Sequence, residues 1–256
     1  ERSEQGMALL VLQAGGGCGA TTVACNLAEE MAQESTDTAL FVDLDWMYGG
    51  GSIYMGLEGK YGVADVLEHG EHMDGYLIRS SAAHYSPSLH VLMSPAAVEM
   101  HGYRNLPYNR LEELLSACRR AYAYSVFDVP RLPVPVTSRL ADASQLILLV
   151  FELTLKSVRV ARDIRARLLA NEVSNDKVLL VANRYRWRTP VSLSEARRAL
   201  GGGEIQLVRN NFKHAVKSMN RGRLLSEVAA RSKIRRDIQA MTGQIKTRLK
   251  QKARSS

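Results

Sequence analysis

The chain has 256 residues, of which 46% are hydrophobic and 23% charged, so it is long enough to bury a substantial core and is not a disordered chain. No uninterrupted apolar run approaches the roughly 18 residues that a membrane-spanning helix needs, which argues against an integral membrane protein. The formal net charge of +8 indicates an anionic partner.

The positive charge is concentrated near the C-terminus. Residues 201–256 hold 14 Lys and Arg against 3 Asp and Glu, whereas residues 1–200 carry a net charge of −3. The excess of positive charge therefore lies in the last fifth of the chain.

Cysteine content predicts the compartment. The three cysteines are odd in number and form no C-x-x-C pair, which argues against a disulfide framework or a zinc site and favours a reducing cytoplasm. The sequence contains no basic segment followed by an apolar segment, which is the pattern of a secretory signal. Because the chain starts at Glu1 rather than Met, we expect a fragment of a longer protein.

Short apolar runs alternate with helical segments along the chain. Strands are predicted at 8–13, 38–43, 89–93, 124–129, 145–151, 177–183 and 204–208. Helices are predicted at 21–33, 62–69, 72–79, 106–121, 154–171 and 192–200. Continuous apolar strands alternating with helices are typical of a parallel sheet covered by helices on both faces. The predicted fold class is therefore α/β, a single domain with a mostly parallel central sheet.

A glycine cluster joins the first predicted strand to the first predicted helix, in the sequence QAGGGCGATT over residues 13–22. Glycines at such a junction let backbone N–H groups turn inward around a phosphate, and the following helix N-terminus adds its positive dipole end. Thr21 stands where the hydroxyl of a phosphate loop binds Mg²⁺. A simple glycine-rich turn is the alternative interpretation.

Three aspartates at strand ends favour the phosphate interpretation. Asp43 and Asp45 follow the second predicted strand, and Asp128 lies at the end of a later one. In a phosphate-loop fold these ends meet the glycine loop at the carboxyl edge of the sheet, where Mg²⁺ and an attacking water are placed. Each aspartate taken singly is equally explained as a capping or loop residue.

The combined pattern resembles the MinD/ParA family of ATPases, the deviant Walker A group, whose loop has the form K-G-G-x-G-K-[ST]-[ST]. Gly16, Gly17, Gly19, Thr21 and Thr22 match that motif. Two lysines are missing: Gly15 replaces the signature lysine and Ala20 replaces the Walker lysine, while Cys18 occupies the variable position.

The resemblance implies roles for individual residues. Asp43 and Asp45 match the switch I aspartates and would be catalytic in an active enzyme, Asp128 matches the Walker B aspartate, and Asn183 with Arg184 matches the adenine-contacting pair. Mg²⁺ would be held through the nucleotide by Thr21, Asp43 and Asp128. The implied binding set for ATP or ADP is Gly15, Gly16, Gly17, Cys18, Gly19, Ala20, Thr21, Thr22, Asp128, Arg131, Asn183 and Arg184.

Within the family, the sequence is most similar to the CpaE/TadZ branch of Tad (Flp, type IVc) pilus assembly proteins. The residues that carry this likeness are GGGCGATT at 15–22, the switch I segment 41–69, SVFDVPR at 125–131, ANRYRWR at 182–188 and the segment 220–238. Alanine in place of the Walker lysine also occurs in this branch. Its members commonly carry an N-terminal receiver-like domain, so we expect that domain to precede this chain.

The missing lysines predict slow or absent hydrolysis. The Walker lysine stabilises charge that develops during phosphoryl transfer, and losing such a contact costs about a hundredfold or more in rate. Backbone amides and Mg²⁺ still suffice to hold a nucleotide. Arg131 and Arg184 are candidates to supply the missing charge, and ordinary surface arginines are the equal alternative.

Residues 232–252 form a predicted basic amphipathic helix. A narrow apolar stripe is spaced four, three, four and four residues apart, at Ile234, Ile238, Met241, Ile245 and Leu249. Three interpretations remain open: the helix closes the fold, it contacts an anionic membrane surface, or it contacts DNA non-specifically.

The predicted function is a nucleotide-responsive adaptor that positions Tad pilus assembly at one place in the cell, at a pole or the inner membrane. The implied partners are a second copy of the chain and the pilus secretion ATPase or inner-membrane Tad components. Two alternatives stay open: an active MinD/ParA-type ATPase cycling on membrane or DNA, and a scaffold that binds no nucleotide.

Overall fold

The computed structural model describes residues 5–33, 38–45, 49–59, 61–69, 73–94 and 107–255. Residues 46–48 of the loop after Asp45, and the predicted helix starts at 72 and 106, lie outside these ranges. The structural statements below concern the described residues.

The strands are β1 (Met7–Gln13), β2 (Ala39–Asp43), β3 (Ala83–His84), β4 (Leu89–Leu92), β5 (Tyr124–Val129), β6 (Leu146–Glu152), β7 (Val178–Tyr185) and β8 (Ile205–Arg209). They form one sheet in the order β3-β4-β2-β5-β1-β6-β7-β8. Every neighbouring pair is parallel except β3 and β4. The α/β class with a mostly parallel sheet is therefore confirmed.

The helices are α1 (Ala20–Gln33), α2 (Gly51–Met55), α3 (Val63–His69), α4 (Gly75–Ser81), α5 (Leu111–Ala121), α6 (Val134–Ala143), α7 (Leu155–Ala170), α8 (Leu193–Ala199), α9 (Phe212–Arg221), α10 (Leu225–Val228) and α11 (Lys233–Ser255). One face of the sheet buries an apolar cluster with α3 to α8. The other face buries a second cluster with α1, α10 and α11. Two covered faces explain why the central strands are apolar along their whole length.

Several elements were not predicted from the pattern, namely α2, β3, α6, α9 and α10. Helix α6 begins within a stretch that contains Pro130, Pro133 and Pro135, which favours a loop when read locally. Proline is tolerated in the first helical turn because the N–H groups there have no partner within the helix. The prolines therefore mark the start of α6.

Helix α11 is a closing helix of the fold. Its apolar stripe, exemplified by Ile238 and Met241, is buried in the cluster that α11 shares with α1 and the sheet. Helix α11 also packs on β8. Of the three interpretations of the basic helix, the packing favours the first, because a stripe buried in the core is not available to insert into lipid. No described helix is both long and apolar enough to cross a bilayer.

Part of the positive charge of α11 serves this packing. Arg235 forms an ion pair with Glu30 of α1 at 2.7 Å, and both side chains are largely buried. Lys246 is also buried; its ammonium donates to the Met31 carbonyl at 3.1 Å and lies over the Tyr124 ring. Lys252 pairs with Asp176. These cations hold α11 to its neighbours, whereas Lys233, Arg236 and Lys250 are exposed.

Candidate functional site

The glycine loop connects β1 to α1 at the carboxyl edge of the sheet. The N–H of Ala14 donates to the Val150 carbonyl at 2.9 Å, which ties the start of the loop to β6. Gly17 and Gly19 have φ angles of 77° and 83°, a backbone region that residues with a Cβ adopt only at a cost. The glycines therefore determine the path of the loop.

Several amides of the loop are free to meet an anion. The N–H groups of Gly16, Gly17 and Gly19 have no acceptor among the described residues. They lie directly before the N-terminus of α1, whose dipole adds partial positive charge. This arrangement of backbone donors suits a phosphate group.

No side chain of the loop supplies a cation. A Cβ added to Gly15 would meet no atom within 4 Å, so that position is open and empty of side chain. Ala20 is 5% exposed, and its methyl group is part of the apolar cluster beneath α1. The loop can therefore attract a phosphate only through amide dipoles and a bound cation.

Two carboxylates stand side by side next to the loop. Asp43 and Asp128 are directly paired in the parallel register of β2 and β5, and both are at least nine-tenths buried. The N–H groups of Asp45 and Gly51 each donate to Asp43 at 2.9 Å, and the Ser94 hydroxyl donates at 3.3 Å. Sequence reasoning predicted this juxtaposition from the strand ends, whereas it missed Gly51 and Ser94.

Burial raises the pKa of both carboxylates. Desolvation raises the pKa of Asp43 to about 6. Desolvation and the nearby charge of Asp43 raise the pKa of Asp128 to about 8, against a hydrogen bond from Thr21 that lowers it. Two buried like charges without a lysine between them favour either a shared proton or a cation.

The donor set fits Mg²⁺ when phosphate oxygens complete it. Carboxylate and hydroxyl oxygens are the hard ligands that Mg²⁺ prefers, and Thr21, Asp43 and Asp128 bring both kinds together. Within the described ranges, no group of three or more His, Cys, Asp and Glu side chains is arranged to hold a metal by itself. The residues therefore match a metal carried in with a nucleotide.

Helix α2 covers the loop from the side of switch I. The Thr22 hydroxyl donates to the Tyr54 hydroxyl at 3.0 Å, which links α1 to α2. Burial raises the pKa of Tyr54, so the phenol stays protonated at neutral pH. Tyr54 was not singled out in the sequence, because its position beside Thr22 depends on how α2 folds back.

A cleft of about 170 Å³ opens between the loop and α9, lined among others by Gly19, Thr22, Tyr54, Asn183 and Phe212. It has space for a flat ring next to the phosphate loop. The residues of the β8–α9 turn that contribute to it, Asn210 to Phe212, carried no motif that sequence reasoning could use. We refer to this cavity as the base cleft.

Asn183 faces the loop as well as the base cleft. Its amide nitrogen donates to the Cys18 carbonyl at 2.8 Å and lies 3.5 Å from the Gly19 carbonyl. A Cβ on Gly19 would come within 2.4 Å of that nitrogen. Asn183 therefore positions the phosphate loop, a contact that the predicted adenine role did not include.

The two arginines suggested as substitutes for lysine lie on different surfaces. Arg184 lines the base cleft, with a φ of 53°, and its guanidinium pairs with Glu152 at 3.0 Å. Arg131 lines another cleft, between α6 and α7.

The thiol of Cys18 is buried and lies 3.5 Å from the Val150 carbonyl, and burial raises its pKa, so Cys18 is not poised as a reactive thiolate.

The glycine loop between β1 and α1, with acidic strand ends beside it, belongs to a fold that is shared with the MinD/ParA ATPases. Comparison of the sequence with protein-family models gave no match, and comparison with curated proteins gave none either. The likeness to known proteins is therefore one of structure.

Three solved structures illustrate it. A ParA family ATPase from Chlorobium tepidum has a TM-score of 0.83 at 22% identity, covering 92% of this chain and 98% of its own. The septum site-determining protein MinD from Pyrococcus horikoshii, complexed with Mg-ADP, has a TM-score of 0.77 at 15% identity, covering 93% and 95%. The MinC:MinD complex of Aquifex aeolicus has a TM-score of 0.78 at 17% identity, covering 94% and 96%. At these identities the likeness establishes the fold.

Proposed function

We propose that this chain binds ATP or ADP with Mg²⁺ at the glycine loop and uses the nucleotide as a conformational ligand, with weak or no hydrolysis. The observation that carries the proposal is a loop with free amides and two buried carboxylates in which both lysine positions are occupied by Gly15 and Ala20. The free amides and the carboxylates support phosphate and Mg²⁺ binding, and the loop lacks the lysine side chain that accelerates phosphoryl transfer.

Each residue of the site has a separate task in binding. The amides of Gly16, Gly17 and Gly19 would hold the phosphates, and Thr21 with Asp43 and Asp128 would hold Mg²⁺. The metal would supply the positive charge that lysine supplies in other phosphate loops. The base cleft would take the adenine, with Asn183 and Arg184 at its edge. Cys18, Ala20 and Thr22 would contribute as neighbours in the loop.

Nucleotide binding would be transmitted through α2. The N–H of Gly51, the first residue of α2, donates to Asp43, and Tyr54 of the same helix contacts Thr22. Asp43 would have to share its carboxylate between the N–H of Gly51 and a bound metal. Nucleotide would therefore favour another arrangement of α2, and this differential contact is what shifts the population.

The biological role proposed is recruitment. The similarity of the switch I segment and of SVFDVPR to the CpaE/TadZ branch supports a cytoplasmic adaptor for Tad pilus assembly, acting at the inner membrane or a pole. Its partners would be a second copy of the chain and the secretion ATPase or inner-membrane Tad components. The region would form one domain over residues 1–256, downstream of a receiver-like domain.

Calorimetric titration of ATP with and without Mg²⁺ tests the binding. We expect Mg²⁺-dependent binding that weakens in Thr21→Ala, and a thermal shift that reflects about 2.7 kcal/mol of added stability at a hundred times the dissociation constant. Ser52→Ala, a change in α2 outside the predicted phosphate and metal contacts, serves as the control. Absence of heat and of thermal shift at millimolar ATP would contradict nucleotide binding and favour the scaffold alternative.

Steady-state phosphate release, with anionic vesicles or DNA added, tests the second half of the proposal. We expect turnover at or near background. A rate comparable with that of ordinary MinD-type ATPases, abolished by Asp45→Ala, would show that the chain is an active ATPase.

Light scattering with ATP and with ADP tests dimer formation, and co-purification with the secretion ATPase under the same two conditions tests recruitment.

A further inference from the structure

A second cavity lies between α6 and α7, on the opposite face of the sheet from α1 and α11. Its volume is about 310 Å³, at the lower end of the range of ligand pockets. This volume has room for a ligand of at least about ten non-hydrogen atoms. We call it the α6–α7 cleft.

One part of the lining of the α6–α7 cleft is apolar. Leu132, Val134, Val160 and Ile164 line it, and Leu12 of β1 contributes as well. Such walls suit the hydrocarbon part of a ligand, because transferring apolar surface out of water is favourable.

The mouth of the cleft carries uncompensated positive charge. Arg131 and Arg167 both line it, and neither forms an ion pair with any residue that the structure describes. The one acidic residue of the lining, Asp163, is already paired with Arg162 at 3.1 Å. Two guanidinium groups beside apolar walls favour an anion, since arginine binds carboxylate and phosphate groups through paired N–H donors.

A buried hydroxyl adds a polar point to the lining. Ser138 of α6 is 7% exposed and lines the cleft, and its Oγ atom has no hydrogen-bond partner among the described residues. Leaving a buried hydroxyl without a partner costs free energy, so a polar atom of a ligand would relieve it.

We propose that the α6–α7 cleft binds a small organic anion, a carboxylate or phosphate monoester on an apolar chain or ring. The apolar part lies against Val134, Val160 and Ile164, and the anionic group meets Arg131 and Arg167. The cleft is separate from the base cleft, because the two share no lining residue.

The test uses the full chain and three probes of matched hydrocarbon length: octanoate, octyl phosphate and 1-octanol, each titrated calorimetrically below its aggregation limit. We expect octanoate or octyl phosphate to bind about tenfold or more tightly than 1-octanol, since a hydrogen bond to a charged group exceeds one between neutral groups. The stronger of the two anions identifies the headgroup. Equal affinity for 1-octanol would overturn the anion site.

Variants locate the binding. Arg167→Gln should weaken the better anion about tenfold, whereas Arg159→Gln removes one charge from the exposed face of the same helix and should leave the affinity unchanged. Equal losses in both variants would show attraction by net charge only and would overturn the proposal. Circular dichroism checks that each variant is folded.

Two further variants test whether the anion occupies the cleft itself or only meets the charge of the arginines. Ser138→Ala should keep the stability of the unliganded chain, because it removes an unpaired hydroxyl, and it should lower anion affinity several-fold. Val160→Phe fills the cleft and should abolish binding. Full affinity in both folded variants would place the anion elsewhere and overturn the proposal; if Val160→Phe does not fold, Ser138→Ala and Arg167→Gln decide.

Discussion

At the scale of single residues, the site depends on side chains that are missing as much as on those present. Gly15 and Ala20 carry no charge, so neither loop position supplies an ammonium to the buried carboxylates of Asp43 and Asp128. Burial raises the pKa of both carboxylates. A phosphate loop without lysine therefore has its own pH dependence.

Asp128→Asn should flatten the dependence of stability on pH. The pKa of Asp128 rises from its ordinary 3.8 to about 8, so the folded chain holds a proton that the unfolded chain releases. The stability that protonated Asp128 contributes to the folded chain is fully present below about pH 4 and is lost as the pH rises through about 8. Without nucleotide or divalent cation, we expect the free energy of unfolding to fall by on the order of a few kcal/mol between about pH 5 and about pH 8.

Urea denaturation at both pH values measures this effect. The asparagine variant should be the more stable protein at the higher pH, because it removes a buried charge that repels Asp43. Asp142→Asn, at an exposed position of α6, serves as the control. The same pH profile in Asp128→Asn and in the wild-type chain would contradict the explanation.

Gly19→Ala should destabilise the loop by about 1–3 kcal/mol, the usual cost of a residue held in a sparsely populated backbone region. The φ of 83° and the approach to the amide of Asn183 both oppose a Cβ. Gly16→Ala is the matched control, since a Cβ there meets nothing within 4 Å. Thermal unfolding of the two variants should differ, and equal midpoints would contradict the cost assigned to the backbone of Gly19.

At the scale of elements, α11 shows how a basic amphipathic helix can be a structural one. Its stripe lies in the cluster with α1, and Arg235 reaches across to Glu30. An ion pair of this kind also orients the two helices. A relative orientation that separated the partners would leave a buried charge without compensation. The sequence pattern of such a helix is the same as that of a membrane-binding one.

Ile238→Ala should cost about 2–5 kcal/mol in unfolding free energy, because the side chain is fully buried and leaves a cavity. Gln244→Ala on the exposed face of α11 should change stability by about 0.5 kcal/mol or less. Chemical denaturation measures both. Equal stability of the two variants would mean that α11 is not part of the core.

Because α11 is part of the core, a chain that ends before Lys233 is a poor test of whether α11 binds a membrane or DNA. Removing residues from Lys233 onward would expose the apolar cluster beneath α1. We expect the shortened chain to aggregate, so loss of membrane or DNA binding in that form would not identify α11 as the binding surface.

At the scale of the whole molecule, charge is divided between the two parts of the chain. Residues 1–153, which include β1 to β6, hold 9 Lys and Arg against 19 Asp and Glu; residues 154–256, which include β7 and β8, hold 25 against 7. The excess of cations therefore starts with α7 rather than at the last fifth of the chain. A large polyanion would therefore be attracted mainly to residues 154–256.

Arg188→Gln should lower the salt concentration at which the chain elutes from heparin, a polyanion that binds through released counterions. Arg188 is exposed next to Trp187, which is 90% exposed. Arg139→Gln, in the acidic half and paired with Glu112, should elute nearly as the wild type does. Equal shifts would show that only net charge matters and that the two halves are equivalent.

The local pattern was sufficient for most of the fold. Apolar runs and helical periodicity predicted β1, β5 and α7 to within two residues, because each depends on neighbours along the chain. The pattern did not predict α6, whose start contains prolines, or α2, where a glycine-rich segment forms a short helix. Both are stabilised by contacts made after the chain folds back.

By itself, the sequence determined the alternation of strands and helices, the glycine loop and the absence of its lysines, since these are properties of residue type and spacing. Only the tertiary structure decided which residues meet. It confirmed the predicted pairing of Asp43 with Asp128, turned Asn183 toward the loop, placed the stripe of α11 in the core and formed the α6–α7 cleft. The physical reason is that burial and pairing arise between segments far apart in the chain, where spacing along the sequence carries no information.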